Sequence, residues 1–395
     1  MKFKRNIKLD YFHTLFRSLN VTNGIWMMYL YSRGFSIFEI AIFEGIFHIT
    51  SILMEIPTGI ISDLFGRKTS RILGVLSYLV YIAIILNSNE FYVIAIGFVF
   101  CSLSYVFESG AAEAIVYDSL IQMDKEEEYM RVSGIKEAIF QVSGFVALMI
   151  SGSIGTENPE YNFYLTGIFF LIGMILIISM REVPIKKSAI RSVKEQFINQ
   201  FVVSTKTVLR NKRLFLLIVI GGLITAPVTT IFFFLQNYFD IAGVSWTLIT
   251  VYLGLHAGAA AIGGIFAHKL EKKFKERKIL LFVPLFMTVL FWLILFESYM
   301  VIPFIILGFL ESIFYVVLID YINKMISSEE RSTVLSFFGM VFSIVMIFVF
   351  TTIGYVIENV SFRFAFIILA MIVTMFYIGL LFVIKGNHLN EENKQ

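Results

Sequence analysis

The chain has 395 residues, of which 58% are hydrophobic and only 15% are charged. A soluble domain carries about 25% charged residues, so this composition excludes a soluble globular protein and indicates an integral membrane protein. The formal net charge is +3, and the positions of the bases carry more information than their sum. A single cysteine, Cys101, excludes an intramolecular disulfide and a cysteine metal cluster.

Twelve apolar runs follow one another along the chain, and a helix needs about 20 such residues to cross the hydrocarbon core. The runs are continuous, whereas a transmembrane β-barrel would show roughly ten-residue alternating segments. We therefore predict an all-α membrane protein with twelve spans. The first run lacks a small-residue cleavage site, so we expect it to be retained rather than removed as a signal peptide. The predicted spans are 10–32, 36–61, 70–88, 91–118, 132–155, 161–180, 213–238, 245–268, 278–297, 299–322, 333–357 and 361–384.

The bases lie almost entirely on one side of the predicted membrane. Of the 32 lysines and arginines, all but four fall in the two terminal tails or in connections on that side. Arg33 and Arg363 fall on the other side, and Arg17 and Lys136 fall within spans. The positive-inside rule then predicts a multi-pass protein of the cell membrane with both termini in the cytoplasm.

The longest connection is basic and separates six spans from six, which predicts two halves. The halves share several features in register. Span 4 carries Glu108 and ends at Asp118, while span 10 carries Glu311 and ends at Asp320. Internal symmetry of this kind is typical of secondary transporters. The predicted division is an N-terminal half at 1–181, a cytoplasmic linker at 182–212 and a C-terminal half at 213–395.

The connection between spans 2 and 3, residues 59–71, has the sequence GIISDLFGRKTSR. It resembles the loop between helices 2 and 3 of the major facilitator superfamily. The preceding EIPT at 55–58 resembles bacterial efflux members of the drug:proton antiporter type. The resemblance covers nearly the whole chain, and it implies two six-helix halves that move a small solute by alternating access. It also implies that the protein is not an enzyme.

In the resembling family this loop forms a cytoplasmic gate. Its acid interacts with the start of helix 11, where the positive end of the helix dipole favours an anion, and its base pairs with an acid that ends helix 4. The resemblance implies that Asp63 faces the helix starting near Arg331 and that Arg67 pairs with Asp118. The alternative is that the bases only fix the topology. The implied gate comprises Gly59, Asp63, Gly66, Arg67, Lys68 and Asp118, with the two glycines permitting the turn and a close helix approach.

Two acids near the middle of spans are candidates for proton coupling. A charge at the bilayer centre costs at least about 2.5–3.5 kcal/mol on insertion scales and usually faces a cavity or a partner. Spans 1, 4, 7 and 10 line the central cavity of the resembling family, which would bring Glu108 and Glu311 to it from opposite halves. Desolvation favours the protonated form of a carboxyl, so we predict that one or both carry the coupling proton. The alternative is a structural ion pair with Arg17 or a polar contact between helices.

Span 1 contributes Arg17, Asn20 and Asn23, whose spacing of three predicts one helix face. We expect this face to line the cavity, where Arg17 would neutralise a glutamate or bind an anionic group of the solute. A base that snorkels to the headgroups is the alternative. Further candidates for packing, gating or proton relay, with no metal site expected among them, are Glu113, His48, His256, Asp320 and Arg331.

The abundance of Phe (43), Tyr (18) and Met (16) suits loosely specified apolar ligands. Together with two acids it predicts proton-coupled efflux of amphipathic cations, as in multidrug resistance. Span 5 lacks the proline that many drug–proton antiporters carry there, which leaves proton-coupled uptake or export of a metabolite, sugar or peptide as the alternative. A solute sensor that does not transport is an alternative from another class. We expect no cofactor besides the proton gradient, no nucleic-acid partner, and a monomer in the lipid bilayer.

Overall fold

The computed structural model describes residues 3–183, 208–326 and 331–385. These residues are predominantly α-helical, as predicted, because backbone groups at membrane depth must be hydrogen-bonded within their own segment. Short 3₁₀ turns at Glu126–Glu128 and Glu297–Tyr299 accompany the helices. The helices with defined bounds are α1 (Lys4–Ser18), α2 (Trp26–Ser32), α3 (Ile37–Phe65), α4 (Arg67–Asn87), α5 (Phe91–Ile121), α6 (Tyr129–Glu157), α7 (Glu160–Ser179), α8 (Lys212–Ile241), α9 (Trp246–Phe274), α10 (Glu276–Leu293), α11 (Val301–Lys324), α12 (Arg331–Asn359) and α13 (Phe362–Lys385).

Ten helices in the described part of the chain are long and apolar enough to cross a membrane, namely α3 to α9 and α11 to α13. The first predicted span is divided into α1 and α2, because the chain leaves the helix over residues 19–25. The ninth corresponds to α10, whose 18 residues begin with Glu276, Arg277 and Lys278 and are too charged to qualify. The predicted count of twelve spans is therefore not confirmed.

The chain divides into two compact units. In unit 1, the Gly152 N–H donates to Thr250 Oγ1 at 3.1 Å, which links α6 to the start of α9. In unit 2, the Ile37 N–H donates to Glu358 Oε2 at 3.0 Å, which links the start of α3 to α12. The predicted linker, 182–212, falls mostly outside the described residues. Unit 1 takes the described residues of Met1–Phe35, Ile42–Phe197 and Phe239–Gly254, and unit 2 takes those of Ser36–Ala41, Ile198–Tyr238 and Leu255–Gln395.

Single residues with positive φ separate two pairs of helices. Gly66, at φ +102°, lies between α3 and α4, and Lys275, at φ +63°, lies between α9 and α10. Glycine adopts this conformation without strain. The predicted turn is therefore one residue long, and Gly59 lies inside α3, which continues to Phe65. The expected role of Gly59 in the turn is therefore wrong. Among the described residues, no heavy atom lies within 4 Å of the position a Gly59 Cβ would take, and its expected part in a close helix approach stays a prediction.

Candidate functional site

Unit 1 contains a cluster of charged side chains in its interior. The Arg71 guanidinium on α4 places Nη1 2.7 Å from Asp10 Oδ1 on α1 and Nη2 2.8 Å from Glu108 Oε1 on α5. Lys136 on α6 places its Nζ 3.2 Å from Asp10 Oδ2. Arg71 is fully buried, and Glu108 is 9% exposed. We call Asp10, His13, Arg71, Glu108 and Lys136 the buried charge cluster.

Arg71 and Lys136 compensate the two acids of this cluster. The Arg71 Nε donates to both Glu108 oxygens, at 3.1 and 3.2 Å, and Nη2 adds a third bond, which is the fork geometry that makes Arg–carboxylate pairs strong. Buried ions require such pairing because desolvation is costly. Glu108 is therefore not a lone acid, and its basic partner is Arg71 rather than Arg17. The sequence analysis counted Arg71 among the loop bases at the membrane surface. In the structure, Arg71 lies one turn inside α4.

His13 completes the buried charge cluster from α1. Its Nε2 lies 3.1 Å from Glu108 Oε1, and its Nδ1 lies 3.1 Å from the Gly173 carbonyl oxygen on α7. The side chain is 1% exposed. Asp10, His13 and Arg17 are spaced three and four residues apart, which places them on one face of α1. The sequence therefore contained a signal for a polar face of α1 made by Asp10, His13 and Arg17, whereas the predicted face began at Arg17.

Arg17 lies in unit 1 without an acidic partner. Its Nη2 donates to the Ser104 carbonyl oxygen at 3.1 Å, and its guanidinium lies over the rings of Tyr105 and Phe170, 5.4 and 5.3 Å from their centroids. Among the described residues, no carboxylate oxygen lies within 4.0 Å of it, and Nη1 has no hydrogen-bond partner. Arg17 is therefore an uncompensated cation held by aromatic rings and one carbonyl.

The three polar residues predicted on span 1 do not share a helix face. The helix α1 ends at Ser18, so Asn20 and Asn23 belong to the non-helical segment that follows. The Asn20 Nδ2 donates to Tyr78 Oη at 2.7 Å, and its Oδ1 accepts from Thr22. Asn23 is exposed. Asn20 thus stabilises the break between α1 and α2, because its side chain bonds Thr22 within the non-helical segment and Tyr78 on α4.

Three of the predicted gate residues, Asp63, Arg67 and Asp118, lie together where α3 and α5 end and α4 begins in unit 1. The Arg67 Nη1 donates to Asp63 Oδ1 and, at 3.1 Å, to Ser62 Oγ. The Arg67 Nε lies 3.9 Å from Asp118 Oδ2. The Arg331 side chain lies outside the described residues, so the implied contact of Asp63 with the start of α12 stays a prediction.

An acid that the sequence analysis missed, Glu182, caps the start of α4. Its Oε1 accepts from the Arg67 N–H at 2.9 Å, and its Oε2 accepts from the Lys68 N–H at 3.1 Å. The Lys68 Nζ donates to the carbonyl oxygens of Ile178 and Met180, at 2.6 and 3.2 Å. An anion is favourable at the positive end of a helix and a cation at the negative end. These contacts join α4 to the end of α7.

Replacing Gly66 with alanine is expected to destabilise the protein by about 1–3 kcal/mol, because a residue with a Cβ is strained at φ +102° and ψ +151°. A Cβ there would also lie 2.8 Å from the Glu182 carboxylate. The matched control is Gly59→Ala, which is expected to raise stability by about 0.5–1 kcal/mol because Gly59 is helical and has open space beside it. Equilibrium unfolding in mixed detergent micelles measures both. Equal stability for the two variants would contradict this account.

In unit 2, Glu311 lies within α11 and is partly buried. Across the described ranges 3–183, 208–326 and 331–385, Glu311 has no ion-pair or hydrogen-bond partner. Its counterpart in the sequence repeat, Glu108, has Arg71 and His13. The two acids therefore occupy matching positions in the sequence and differ in chemistry.

The two predicted histidines lie in different surroundings. His256 on α9 is buried, its Nδ1 lies 2.8 Å from the Phe304 carbonyl oxygen, and its ring stacks on Phe304 at 4.4 Å. This is the geometry of an interhelical contact between α9 and α11. His48 places Nε2 3.5 Å from Glu44 Oε1 one turn earlier on α3.

Glu113, a further candidate from the sequence, is exposed, unlike Glu108 on the same helix.

Asp320, the counterpart of Asp118 in the repeat, pairs within its own helix. The Lys324 Nζ lies 2.7 Å from Asp320 Oδ2 and 2.9 Å from Glu271 Oε1, and it also contacts Glu276. This lysine joins the end of α9 and the start of α10 to the end of α11 in unit 2. The acid is thus paired with a lysine four residues later, whereas Asp118 lies near the loop base Arg67.

Comparison with known proteins gives relatives of both sequence and structure. An uncharacterized transporter of Buchnera aphidicola subsp. Schizaphis graminum is 27% identical over 150 residues, which are 38% of this chain and only 37% of that protein. An uncharacterized MFS-type transporter, YxaM, of Bacillus subtilis (strain 168) is 23% identical over 344 residues, which are 81% of this chain and 80% of that protein.

The solved structures that resemble this one are transporters. The nucleoside transporter NupG superposes with a TM-score of 0.74 at 12% identity, over 98% of this chain and 100% of that chain. An auto-inhibited POT family peptide transporter gives 0.75 at 12% identity, over 96% of both chains. A D-xylose-proton symporter gives 0.68 at 12% identity, over 97% of both chains. At 12% sequence identity, these structural similarities show a common fold and no more.

The family model described as Major Facilitator Superfamily matches residues 12–300 and 276–395. The match therefore covers nearly the whole chain, in agreement with the helical spans and the structural relatives. The chain belongs to the Major Facilitator Superfamily, and it is a multi-pass membrane transporter rather than an enzyme.

Proposed function

We propose that this protein is a proton-coupled secondary transporter in which Glu311 carries the proton. The observation that supports the proposal is the lack of any partner for Glu311 among the described residues. An ionised carboxylate without a counter-charge is costly inside a membrane, whereas the protonated carboxyl is not. A group in this position binds a proton when it is shielded and releases the proton when water reaches it.

Alternating access supplies that change of surroundings. Glu311 lies on α11, the tenth predicted span, and the resemblance to the family implies that this span lines the solute path. Exposure of the path to one side and then to the other would let the same carboxyl take up a proton on one side and release it on the other. Glu108 is less suited to this task, because Arg71 donates three hydrogen bonds to its carboxylate.

Sealed vesicles that contain the purified protein test the proposal. A pH gradient is imposed in each direction, and uridine, xylose, dialanine, succinate and ethidium are offered as probes. We expect one polarity of the gradient to drive accumulation of at least one probe, and a protonophore to abolish it. The polarity distinguishes uptake from export. Probes that all equilibrate at rates independent of the gradient would contradict proton coupling.

We further propose that the cargo is a small polar solute with an anionic group. Within the buried charge cluster of unit 1 the acids are compensated by bases, and Arg17 is left without a carboxylate partner among the described residues. A carboxylate or phosphate of the solute would supply both the missing charge and hydrogen-bond acceptors for the guanidinium. This argument favours the metabolite alternative over amphipathic cations.

Export of amphipathic cations is the second candidate, and the unpaired Glu311 is the observation that favours it. A cation bound near an acid of this kind would displace its proton, which couples the two fluxes. The probes discriminate between the candidates, because succinate represents the first and ethidium the second.

Replacing Arg17 with glutamine is expected to weaken binding of an anionic cargo by roughly 10- to 100-fold, since hydrogen bonds to charged groups contribute about 1.5–3 kcal/mol. Arg17→Lys keeps the charge but loses the planar fork, so an intermediate effect is expected. The KM of transport measures the change, and Lys272→Gln, at an exposed position, is the surface control. An unchanged KM in Arg17→Gln would assign Arg17 a structural role.

A further inference from the structure

The hydrogen bonds of His13 require a count of its protons. Its Nδ1 lies 3.1 Å from the carbonyl oxygen of Gly173, and a carbonyl oxygen only accepts. Its Nε2 lies 3.1 Å from Oε1 of Glu108, and an ionised carboxylate also only accepts. A neutral imidazole has one N–H donor and one acceptor nitrogen. In either neutral tautomer, one of these two contacts would therefore bring two acceptors together.

Two arrangements of protons satisfy both contacts. Either His13 is an imidazolium with both nitrogens protonated, or Glu108 is protonated and donates to a neutral ring. The position of Arg71 decides between them, because its Nε and Nη2 donate to both oxygens of Glu108. These donors favour the ionised carboxylate. The extra proton then belongs to His13.

We propose that His13 and Glu108 form a proton-binding site in unit 1, separate from Glu311, in which one proton is held as the His13 imidazolium. The ligand of this site is the proton itself. When the proton leaves, Nε2 loses its donor to Glu108 while Nδ1 keeps its bond to Gly173. Loss of the proton thus weakens the link between α1 and α5 and preserves the link between α1 and α7.

Charged groups on α1, α4, α5 and α6 act on this site, and α7 faces it with the carbonyl oxygen of Gly173. Asp10 and Arg17 lie on the same helix as His13, Arg71 comes from α4 and Glu108 from α5. Lys136 of α6 acts through Asp10, at 3.2 Å. Burial of His13 and the nearby bases oppose the imidazolium, whereas the acids favour it. The direct contact of Nε2 with Glu108 is the geometric feature that favours the protonated ring. Since His13 is 1% exposed, exchange of this proton requires the surrounding helices to open.

Nitrogen NMR of the purified full chain with labelled histidine tests the proposal, because a ring with two N–H groups has a spectrum distinct from either neutral tautomer. The chain has five histidines, and the signal lost in His13→Gln identifies His13. We expect an imidazolium signal for His13 near neutral pH. We also expect Glu108→Gln to convert it to a single neutral tautomer protonated at Nδ1. A neutral ring for His13 in the parent protein would overturn the proposal.

A milder pair of variants keeps the test decisive where His13→Gln does not fold. A Cβ at Gly173 would lie 3.1 Å from Nδ1 of His13, so Gly173→Ala displaces the ring. On the same helix, a Cβ at Gly167 would make an ordinary contact with Ile82 at 3.5 Å. Gly173→Ala is expected to shift or remove the imidazolium signal, and Gly167→Ala to leave it unchanged. Equal spectra for the two variants would show that the imidazolium signal does not come from the ring beside Gly173, which would overturn the proposal. Neither outcome depends on Glu311 or on transport.

Discussion

Replacing Glu311 with glutamine is expected to abolish accumulation driven by a pH gradient while leaving exchange of solute across the membrane intact. Glutamine keeps the shape and polarity of the protonated carboxyl but cannot release a proton. The variant would therefore behave as the parent with its coupling proton permanently bound. Radiolabelled solute in sealed vesicles measures both activities, first with a pH gradient and then with solute at equal concentration on both sides.

The same chemical change at an exposed position is the control for Glu311→Gln. Glu297 lies in the exposed 3₁₀ turn before α11, and Glu297→Gln is expected to leave both activities unchanged. Accumulation that persists in Glu311→Gln would remove this residue from the coupling mechanism. Loss of both activities, exchange and accumulation, would assign Glu311 to solute binding or to folding instead.

Replacing Arg71 with methionine is expected to destabilise the protein by about 3–5 kcal/mol, the usual cost of removing one partner from a buried ion pair. Two carboxylates, of Asp10 and Glu108, would lose the base that lies 2.7 and 2.8 Å from them. Methionine approximates the length and the apolar stem of arginine, so the loss of charge dominates the effect. Equilibrium unfolding in mixed detergent micelles measures the free energy of unfolding.

A combined variant separates charge from packing at this position. Adding Asp10→Asn and Glu108→Gln to Arg71→Met removes the uncompensated acids, and we expect part of the lost stability to return. Lys272→Met, at an exposed position, is expected to change the free energy of unfolding by less than about 0.5 kcal/mol. A loss below about 1 kcal/mol for Arg71→Met would mean that water or another base compensates the acids, because a buried uncompensated charge costs more than that.

The contact between the loop after α3 and the end of α5 could be predicted from the sequence because its signal is local. Gly66, Arg67 and Asp118 were placed together by the loop pattern and its resemblance to the family, and Arg67 lies 3.9 Å from Asp118 in the structure. Glu182 was missed, because its role depends on where the end of α7 meets the start of α4. The twelve spans were drawn from apolar runs alone, which cannot show that Asn20 stabilises a break between α1 and α2.

The buried charge cluster was missed for a different reason. Asp10, Arg71 and Lys136 lie near the ends of apolar runs. Counting the bases by side assigned Arg71 to the surface, and it gave no partner for Asp10 or Lys136. Their burial depends on the packing of α1 against α5, α6 and α7 and of α4 against α5 and α7, and no single segment carries that information. The spacing of Asp10, His13 and Arg17 on one face of α1 was the available signal. The symmetry of the halves matched Glu108 to Glu311 by position in the sequence. It gave no information about their ion-pair partners, in which the two acids differ.

The pH inside sealed vesicles after a solute gradient is imposed tests proton coupling most directly. No pH gradient is applied, the membrane potential is clamped with potassium and valinomycin, and a trapped dye reports protons. Because coupling is reciprocal, we expect the transported solute to change the internal pH of vesicles with the parent protein and not of vesicles with Glu311→Gln. Solute that crosses the membrane through the parent protein with no change of internal pH would contradict the account.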